Sequence, residues 1–311
     1  MTALKSFELK GQKLSFANWI SNLSPTETPF TSMTGKEAVT HTKFQWQTDR
    51  LSPIRKHSVI EGSDVVWTGD AAECNMIDTY VDTNYTQILR RAFKVSDTVN
   101  ATANYGRGKE VPYQIEKYAT ALKRDLEAIL LSDQGAVVGD TNTARKTAGF
   151  KSLVAKKGEA DLDTKAVVHR ETLDKDSVSV VDLENMTYNL YLSGSTANTI
   201  MYHPKNAAFF STLQEKHGST KMFKSDETTF SIHVNKFVDE FGRAYKLVPN
   251  RFMPKTEIYF FNPDDFTQMI FRAPMRTELA KEGSFQHWMI EMEVGLRLRD
   301  PYAAGVLTIK S

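Results

Sequence analysis

Cysteine, charge of one sign and long apolar runs are all scarce in this chain of 311 residues. The single cysteine, Cys74, excludes a disulfide within the chain and a zinc site built from cysteine ligands. With 39 Lys and Arg against 38 Asp and Glu, the net charge of +1 excludes a protein held to nucleic acid by bulk charge alone. No run approaches the ~20 apolar residues of a membrane span, and the polar N-terminal stretch lacks a signal peptide's apolar core. We therefore expect synthesis in the cytosol and no membrane partner.

The common signatures of enzymes are missing as well. No two of the 7 histidines have the four-residue spacing of a helical metal pair, and neither G-x-S-x-G nor G-x-G-x-x-G occurs. The stretch Gly106–Lys109 resembles part of a phosphate loop, but Ala103 and Glu110 stand where that loop needs a glycine and a hydroxyl residue. The run Asn262–Asp265 is typical of a turn. The sequence predicts no catalytic residue, no metal site and no cofactor.

The first third of the chain has the pattern of an arm followed by a long excursion. Residues 1–40 carry a short apolar stretch and two prolines, Pro25 and Pro29, which exclude a helix through that run. Alternating residues over 41–48 predict a strand with Phe44 and Trp46 on one face, and residues 83–96 predict the strand that returns. About 35 residues without clear structure lie between the two strands, a length that is uncommon unless functional.

Charge is segregated along this excursion. Residues 41–60 carry four basic side chains and one acid, residues 61–89 carry six acids and no Lys or Arg, and residues 90–109 are basic again. Two interpretations stay open. The charges are either incidental on a solvated hairpin, or they pair with a neighbouring copy of the chain.

The remainder of the chain combines helices and strands. An apolar stripe at three- and four-residue spacing predicts a long helix over 111–132, and a shorter helix is conceivable over 142–156. Six alternating apolar residues over 288–298 predict a long strand with one dry face. Further elements are a helix capped by Asp182, a strand at 199–202, a helix from Pro204 to Gly218, and strands at 230–238, 245–248, 257–261 and 303–309.

The order of these parts, together with short strings of sequence, resembles a known family. The strings are Ser24–Phe30, Phe44–Asp49, Tyr85–Ile88, Phe93–Ser96, Leu122–Glu127 and Thr143–Lys146. In this order and spacing they look like the major capsid proteins of tailed bacteriophages with the HK97 fold. The resemblance implies an α+β fold with an N-terminal arm, an extended β-hairpin loop, a peripheral domain with a long spine helix, and an axial domain.

Domain boundaries follow from the resemblance. They are an arm at 1–40, an extended loop at 41–96, a peripheral domain at 97–180 and 263–311 with its spine helix at about 111–132, and an axial domain at 181–262. The resemblance also implies that hexamers and pentamers of this chain build an icosahedral shell around double-stranded DNA, bound without sequence specificity. A separate scaffolding protein and a portal protein are implied partners, and a decoration protein is left open. The expected location is the virion, after assembly in the host cytoplasm.

Contacts between subunits are expected from the arm, the extended loop and the axial tip. The residues expected to make them are Trp19, Pro25, Phe30, Phe44, Trp46, Arg50, Arg55, Lys56, Glu61, Asp64 and Arg243. Two alternatives remain at this stage. One is an encapsulin-like nanocompartment shell, which shares the fold and encloses an enzyme, and the other is a soluble α+β enzyme with an unrecognised site.

Overall fold

The computed structural model describes most of the chain. The described residues are 27–49, 51, 58–67, 79–102, 108–155, 169–174, 179–207, 210 and 236–310. They fall into two compact units. The described part of the first unit comes from residues 90–122 and 274–291, and the second unit draws on residues 27–89, 123–273 and 292–311.

Helices and strands alternate along the chain in an α+β arrangement. The helices are α1 (Pro29–Met33), α2 (Asp97–Ala101), α3 (Glu110–Leu130), α4 (Phe150–Leu153) and α5 (Val180–Leu192), with short 3-10 turns at Pro204–Asn206 and Pro263–Asp265. The strands are β1 (Gly35–Ala38), β2 (Lys43–Thr48), β3 (Tyr80–Tyr85), β4 (Gln87–Ser96), β5 (Arg170–Asp174), β6 (Thr199–Tyr202), β7 (Lys236–Val238), β8 (Ala244–Pro249), β9 (Glu257–Phe261), β10 (Phe266–Leu279), β11 (Phe285–Leu298) and β12 (Gly305–Lys310).

The long helix α3 confirms the prediction made from its apolar stripe. It covers 21 residues, close to the predicted span of 111–132. Pro112 lies in its first turn, where a missing backbone N–H costs nothing. Its side chains Leu122, Leu126 and Leu130 are buried at three- and four-residue intervals.

The predicted hairpin forms, but its returning strand is shorter than expected. Strand β2 pairs antiparallel with β3, in a register that places Lys43 opposite Tyr85 and Thr48 opposite Tyr80. The strand predicted over 83–96 is wrong as a single element, because it breaks at the buried residue Thr86. Strand β4 continues beyond the break into a four-stranded sheet of order β1-β10-β11-β4.

A six-stranded sheet forms the main core of the second unit. Its strand order is β5-β12-β9-β6-β8-β7, and it mixes parallel and antiparallel pairs. Helix α5 contributes the buried side chains Leu183, Met186 and Leu190 to the cluster that covers this sheet. The helix lies so close to β12 that a Cβ added at Gly305 would be 2.7 Å from Met186 Sδ, so a larger residue there would have to displace the Met186 side chain.

Several local predictions need correction. The N-cap of α5 is Ser179 rather than Asp182; Asp182 lies three residues into the motif and accepts a hydrogen bond from Ser179 N at 2.7 Å. In the described part of the predicted helix 142–156, which ends at residue 155, only Phe150–Leu153 is helical. The long strand β10 was not predicted. Most of the helix predicted to end at Gly218, and most of the strand predicted to begin at Phe230, lie outside the described residues.

Candidate assembly surfaces

The root of the β2–β3 hairpin is fixed by one buried amide, Asn84. Its Nδ2 donates to Leu296 O at 2.6 Å and to Thr147 Oγ1 at 3.2 Å. Its Oδ1 accepts hydrogen bonds from the backbone N–H groups of Ala148 and Tyr85, each at 2.8 Å. Because one side chain joins the hairpin, strand β11 and the 147–148 segment, the direction in which the hairpin leaves the chain is defined. Sequence analysis missed Asn84, since an asparagine in a strand carries no special pattern.

A buried carboxylate lies beside this root. Glu293, 2% exposed, accepts a hydrogen bond from Thr86 Oγ1 at 2.7 Å. It also pairs with the guanidinium groups of Arg145 and Arg272, the latter at 3.0 Å. Arg145 Nε in turn donates to Thr86 O at 2.6 Å. The polar face of β11, predicted to point away from the dry face, is therefore buried at this point and satisfied by ion pairs.

Two aromatic residues predicted to contact a neighbouring subunit, Phe44 and Trp46, pack at the hairpin root of their own chain. Phe44 is buried and lies against Gly295, where an added Cβ would be 2.5 Å from the Phe44 ring. Trp46 is half-buried and stacks on Phe44 with ring centroids 6.0 Å apart. Arg50 lies outside the described residues.

Beyond its root, the excursion presents apolar side chains to solvent. Glu61 and Asp64, two of the residues predicted to contact a neighbour, are exposed in the single chain. The apolar neighbours of these acids are also exposed, Ile60 by 83% and Trp67 by 69%. Gly62 makes the turn between them with a φ of 78°. The other exposed apolar residues of this segment are Leu51, Val59, Val65 and Val66. Arg55 and Lys56 lie outside the described residues.

Phe30 is a core residue. It is fully buried in an aromatic cluster with Phe150, Phe261 and Phe266, at centroid distances between 5.5 and 5.9 Å. The prediction that Phe30 contacts a neighbour is therefore not retained.

The backbone at the start of α1 is tied to the long helix. Phe30 N and Thr31 N donate to the two carboxylate oxygens of Glu127, each at 2.8 Å. Asn250 Nδ2 donates to the same carboxylate at 2.6 Å. Glu127 is fully buried, and it fixes the point at which the N-terminal segment joins the second unit. The predicted arm contacts Trp19 and Pro25 lie outside the described residues.

Arg243 organises an exposed aromatic stack at the β7–β8 turn. Its Nη1 donates to Ser195 O at 2.8 Å, and its guanidinium lies 4.7 Å from the centroid of Tyr191. Tyr191 stacks on Phe241 at 4.6 Å, and Phe241 in turn lies 6.1 Å from Tyr188. All three rings are more than two-fifths exposed. Tyr188 and Tyr191 both lie on helix α5, and each side chain is nearly half exposed.

The turn itself is held by Asp239. Its carboxylate accepts hydrogen bonds from Arg243 N at 2.7 Å and Phe241 N at 3.1 Å, and Gly242 supplies the required φ of 80°. Behind the turn, burial and the nearby Asp239 carboxylate raise the pKa of Tyr245 to about 12. Because Tyr245 is buried and neutral and Asp239 holds the turn by hydrogen bonds, this tip has a defined geometry.

Among the described residues, no cluster of three His, Cys, Asp or Glu side chains is arranged to hold a metal ion. No described helix has the length and apolar character to cross a membrane.

Comparison with known proteins decides which family this geometry represents. The model of the SU10 major capsid protein family matches residues 3–311. The chain belongs to this family of capsid proteins. The major capsid protein of Escherichia phage Phieco32 is 45% identical to this capsid protein over 345 aligned positions, covering 98% of this chain and 96% of that protein. The predicted role, a structural shell subunit of a phage virion, is confirmed.

Solved structures confirm the HK97-like fold of this capsid protein. The cyanophage A-1(L) capsid matches with a TM-score of 0.68 at 12% identity, covering 98% of both chains. The SrpI encapsulin complex of Synechococcus elongatus PCC 7942 matches with a TM-score of 0.61 at 11% identity, covering 99% of this chain and 96% of that one. The nanocompartment alternative thus shares the fold, whereas the family match favours the phage capsid.

Proposed function

We propose that this capsid protein assembles as hexamers and pentamers into an icosahedral shell that encloses the double-stranded DNA of a phage. The observation that carries the proposal is the amount of apolar surface that the chain leaves in water. The excursion exposes Ile60 and Trp67, and the β7–β8 tip exposes Phe241. Clusters of this kind mark interaction sites, because isolated proteins seldom keep contiguous apolar patches exposed.

The extended loop is proposed to lie on a neighbouring subunit. Its root is held by Asn84 and by the Glu293 cluster, so the loop projects in a defined direction. Its distal part carries the exposed acids Glu61 and Asp64. Contacts from the basic residues Arg50, Arg55 and Lys56 are proposed on the sequence alone.

The axial tip is proposed to contact its equivalents around the centre of each capsomer. The stack of Tyr188, Phe241 and Tyr191 supplies large, rigid contact area at low entropic cost. Arg243 takes part by supporting that stack, because its guanidinium is already held by Ser195 O. Phe44 and Trp46 are proposed to act in the same indirect way, by fixing the root of the loop.

The domain assignment is proposed with the predicted boundaries: arm 1–40, extended loop 41–96, peripheral domain 97–180 and 263–311, and axial domain 181–262. The six-stranded sheet also includes β5 and β12, from outside the last of these ranges. The arm is proposed to lie along a second neighbour through Trp19 and Pro25, starting from the anchor at Glu127.

Further partners are proposed on the family's role. They are a separate scaffolding protein, a portal protein and DNA bound without sequence specificity, with a decoration protein left open. Assembly is proposed to take place in the host cytoplasm. No catalytic activity is proposed.

Assembly size tests the proposal. The chain is expressed alone and with its scaffolding protein, and the products are examined by velocity sedimentation and negative-stain microscopy. We expect closed shells, or hexamers and pentamers. Phe241→Ser should reduce assembly, whereas the matched control Val138→Ser, at an exposed apolar residue outside the proposed contacts, should not. A folded monomer under both conditions would refute the proposal, and shells filled with an enzyme rather than DNA would favour a nanocompartment.

A further inference from the structure

A groove in the first unit has no assigned role. It has a volume of about 350 Å³ and lies between strand β4, helix α2 and the start of helix α3. Apolar walls come from Phe93, Val95, Val99 and Tyr118, and the polar side chains that line it are those of Lys94, Ser96, Glu110 and Gln114. Val99 is 45% exposed, so the groove opens onto solvent through an apolar rim. A space of this size accommodates one large aromatic side chain.

The wall formed by β4 is also the edge of a sheet. Strand β4 is the last strand in the order β1-β10-β11-β4, so one row of its backbone N–H and C=O groups has no strand partner in the described part of the chain. Edge strands accept further strands by backbone hydrogen bonding. The groove and the edge together fit an extended segment that carries a large apolar side chain.

Such a segment exists on the excursion. Residues 58–67 include four β-branched residues and Trp67, and these side chains are exposed. Among these residues the structure has one turn and no strand, although β-branched residues favour strands. The segment contains two acids, Glu61 and Asp64, and no Lys or Arg.

The segment is complementary in charge to one residue at the rim of the groove, Lys94. Lys94 is exposed, and its ammonium group lies 3.4 Å from the centroid of the Phe285 ring. That ring attracts the cation without neutralising its charge. No acid lies between residues 90 and 96 of this strand, and Arg90 is already paired with Glu291 at 2.5 Å, so Lys94 is the relevant cation. The exposed ammonium group of Lys94 therefore favours a carboxylate of the segment beside it.

We propose that residues 64–67 of a neighbouring copy lie along the free edge of β4, with the indole of Trp67 in the groove and Asp64 beside Lys94. The inference rests on the proposed assembly and names the site at which one subunit receives the loop of another. It assigns the groove a partner, which is a second copy of this chain.

Charge reversal tests this site. Lys94→Glu and Asp64→Lys should each raise the concentration needed for half-maximal assembly by about tenfold, and the double variant should return it to within about twofold of the original. Asp64→Lys combined with Lys36→Glu, an exposed cation on β1, should not restore assembly. Because all three side chains are exposed, the monomer should fold, as circular dichroism can verify. Equal failure of both double variants, while the unmodified chain still forms shells, would overturn the site and leave the proposed function standing.

Hydrogen exchange distinguishes a groove that is filled by a neighbouring copy from one that is filled by the same chain. Amides of residues 64–67 should exchange rapidly in the monomer and about a hundredfold more slowly in the shell, because a new strand pairing forms only on assembly. Equal protection in monomer and shell would mean that the chain fills its own groove, and equally rapid exchange in both would mean that the groove is empty. Either result would overturn the inference. A chain that forms no shells would overturn the proposed function and the inference together.

Discussion

Replacement of Asn84 by alanine should destabilise the monomer more than its single amide suggests. The substitution removes four hydrogen bonds, of which those to Leu296 O and Ala148 N are both shorter than 3 Å and buried. Neither backbone group gains a substitute partner, because the site is fully buried. With about 1–3 kcal/mol for each of these two buried groups left unsatisfied, the free energy of unfolding should fall by about 2–6 kcal/mol.

Denaturant unfolding of the purified monomer measures this loss. The matched control is Gln45→Ala in the same hairpin, whose side chain forms an exposed hydrogen bond to Thr83 Oγ1 at 2.9 Å. The control should cost less than about 0.5 kcal/mol, because its groups return to water. A loss below about 1 kcal/mol for Asn84→Ala, or a loss equal to that of the control, would refute the view that this amide fixes the hairpin root.

Two further substitutions test the anchor of the arm and the rigid tip. Glu127→Gln should lower the free energy of unfolding by about 3 kcal/mol, because the new amide N–H₂ group then faces a backbone or side-chain N–H donor in place of an acceptor. The control is Glu116→Gln, on the exposed face of the same helix. An equal loss of stability in both variants would contradict the role of Glu127 as the anchor. Tyr245 contributes stability that is full below pH 10 and is lost as the pH rises towards about 12, because its pKa is raised in the folded state from 10.0 to about 12. Tyr245→Phe should therefore reduce the fall in the free energy of unfolding between pH 10 and about pH 12. If the free energy of unfolding of the variant falls as steeply as that of the original chain over this range, the prediction is contradicted.

Regular patterns in the sequence were sufficient to predict the long helix and the clearest strands. Helix α3 was predicted because its apolar stripe repeats every three or four residues over its full length. Strand β11 was predicted because apolar residues alternate without interruption through Leu298. Strand β10 was missed because the apolar residues Met269, Ile270 and Phe271 follow one another and do not alternate.

Features that depend on distant partners could not be predicted. The break at Thr86 arises from its hydrogen bond to Glu293, 207 residues away in sequence, while the local residues favour a continuous strand. Phe30 follows a turn-rich, proline-bearing run that has the composition of an arm, yet its side chain lies in an aromatic core made of residues from the second half of the chain and from Phe150.

The candidate surfaces were predicted in part. The acids of the excursion stood out because residues 61–89 contain no Lys or Arg, and the structure leaves two of these acids, Glu61 and Asp64, exposed. The stacked rings at the axial tip did not stand out, because Phe241 is in a turn and Tyr188 and Tyr191 are at ordinary helical positions. Their arrangement depends on the approach of the turn to helix α5, which no local pattern contains.

The hairpin root and its distal segment depend on different residues, and this separation affects which parts of the sequence can change during evolution. The groups that hold the hairpin to its own chain are concentrated at the root, around Asn84 and Glu293. Residues 58–67 are exposed and contribute little to the fold of the single chain. A lineage can therefore alter how its subunits recognise one another by mutations in this segment, while selection for a stable chain acts on a different set of residues.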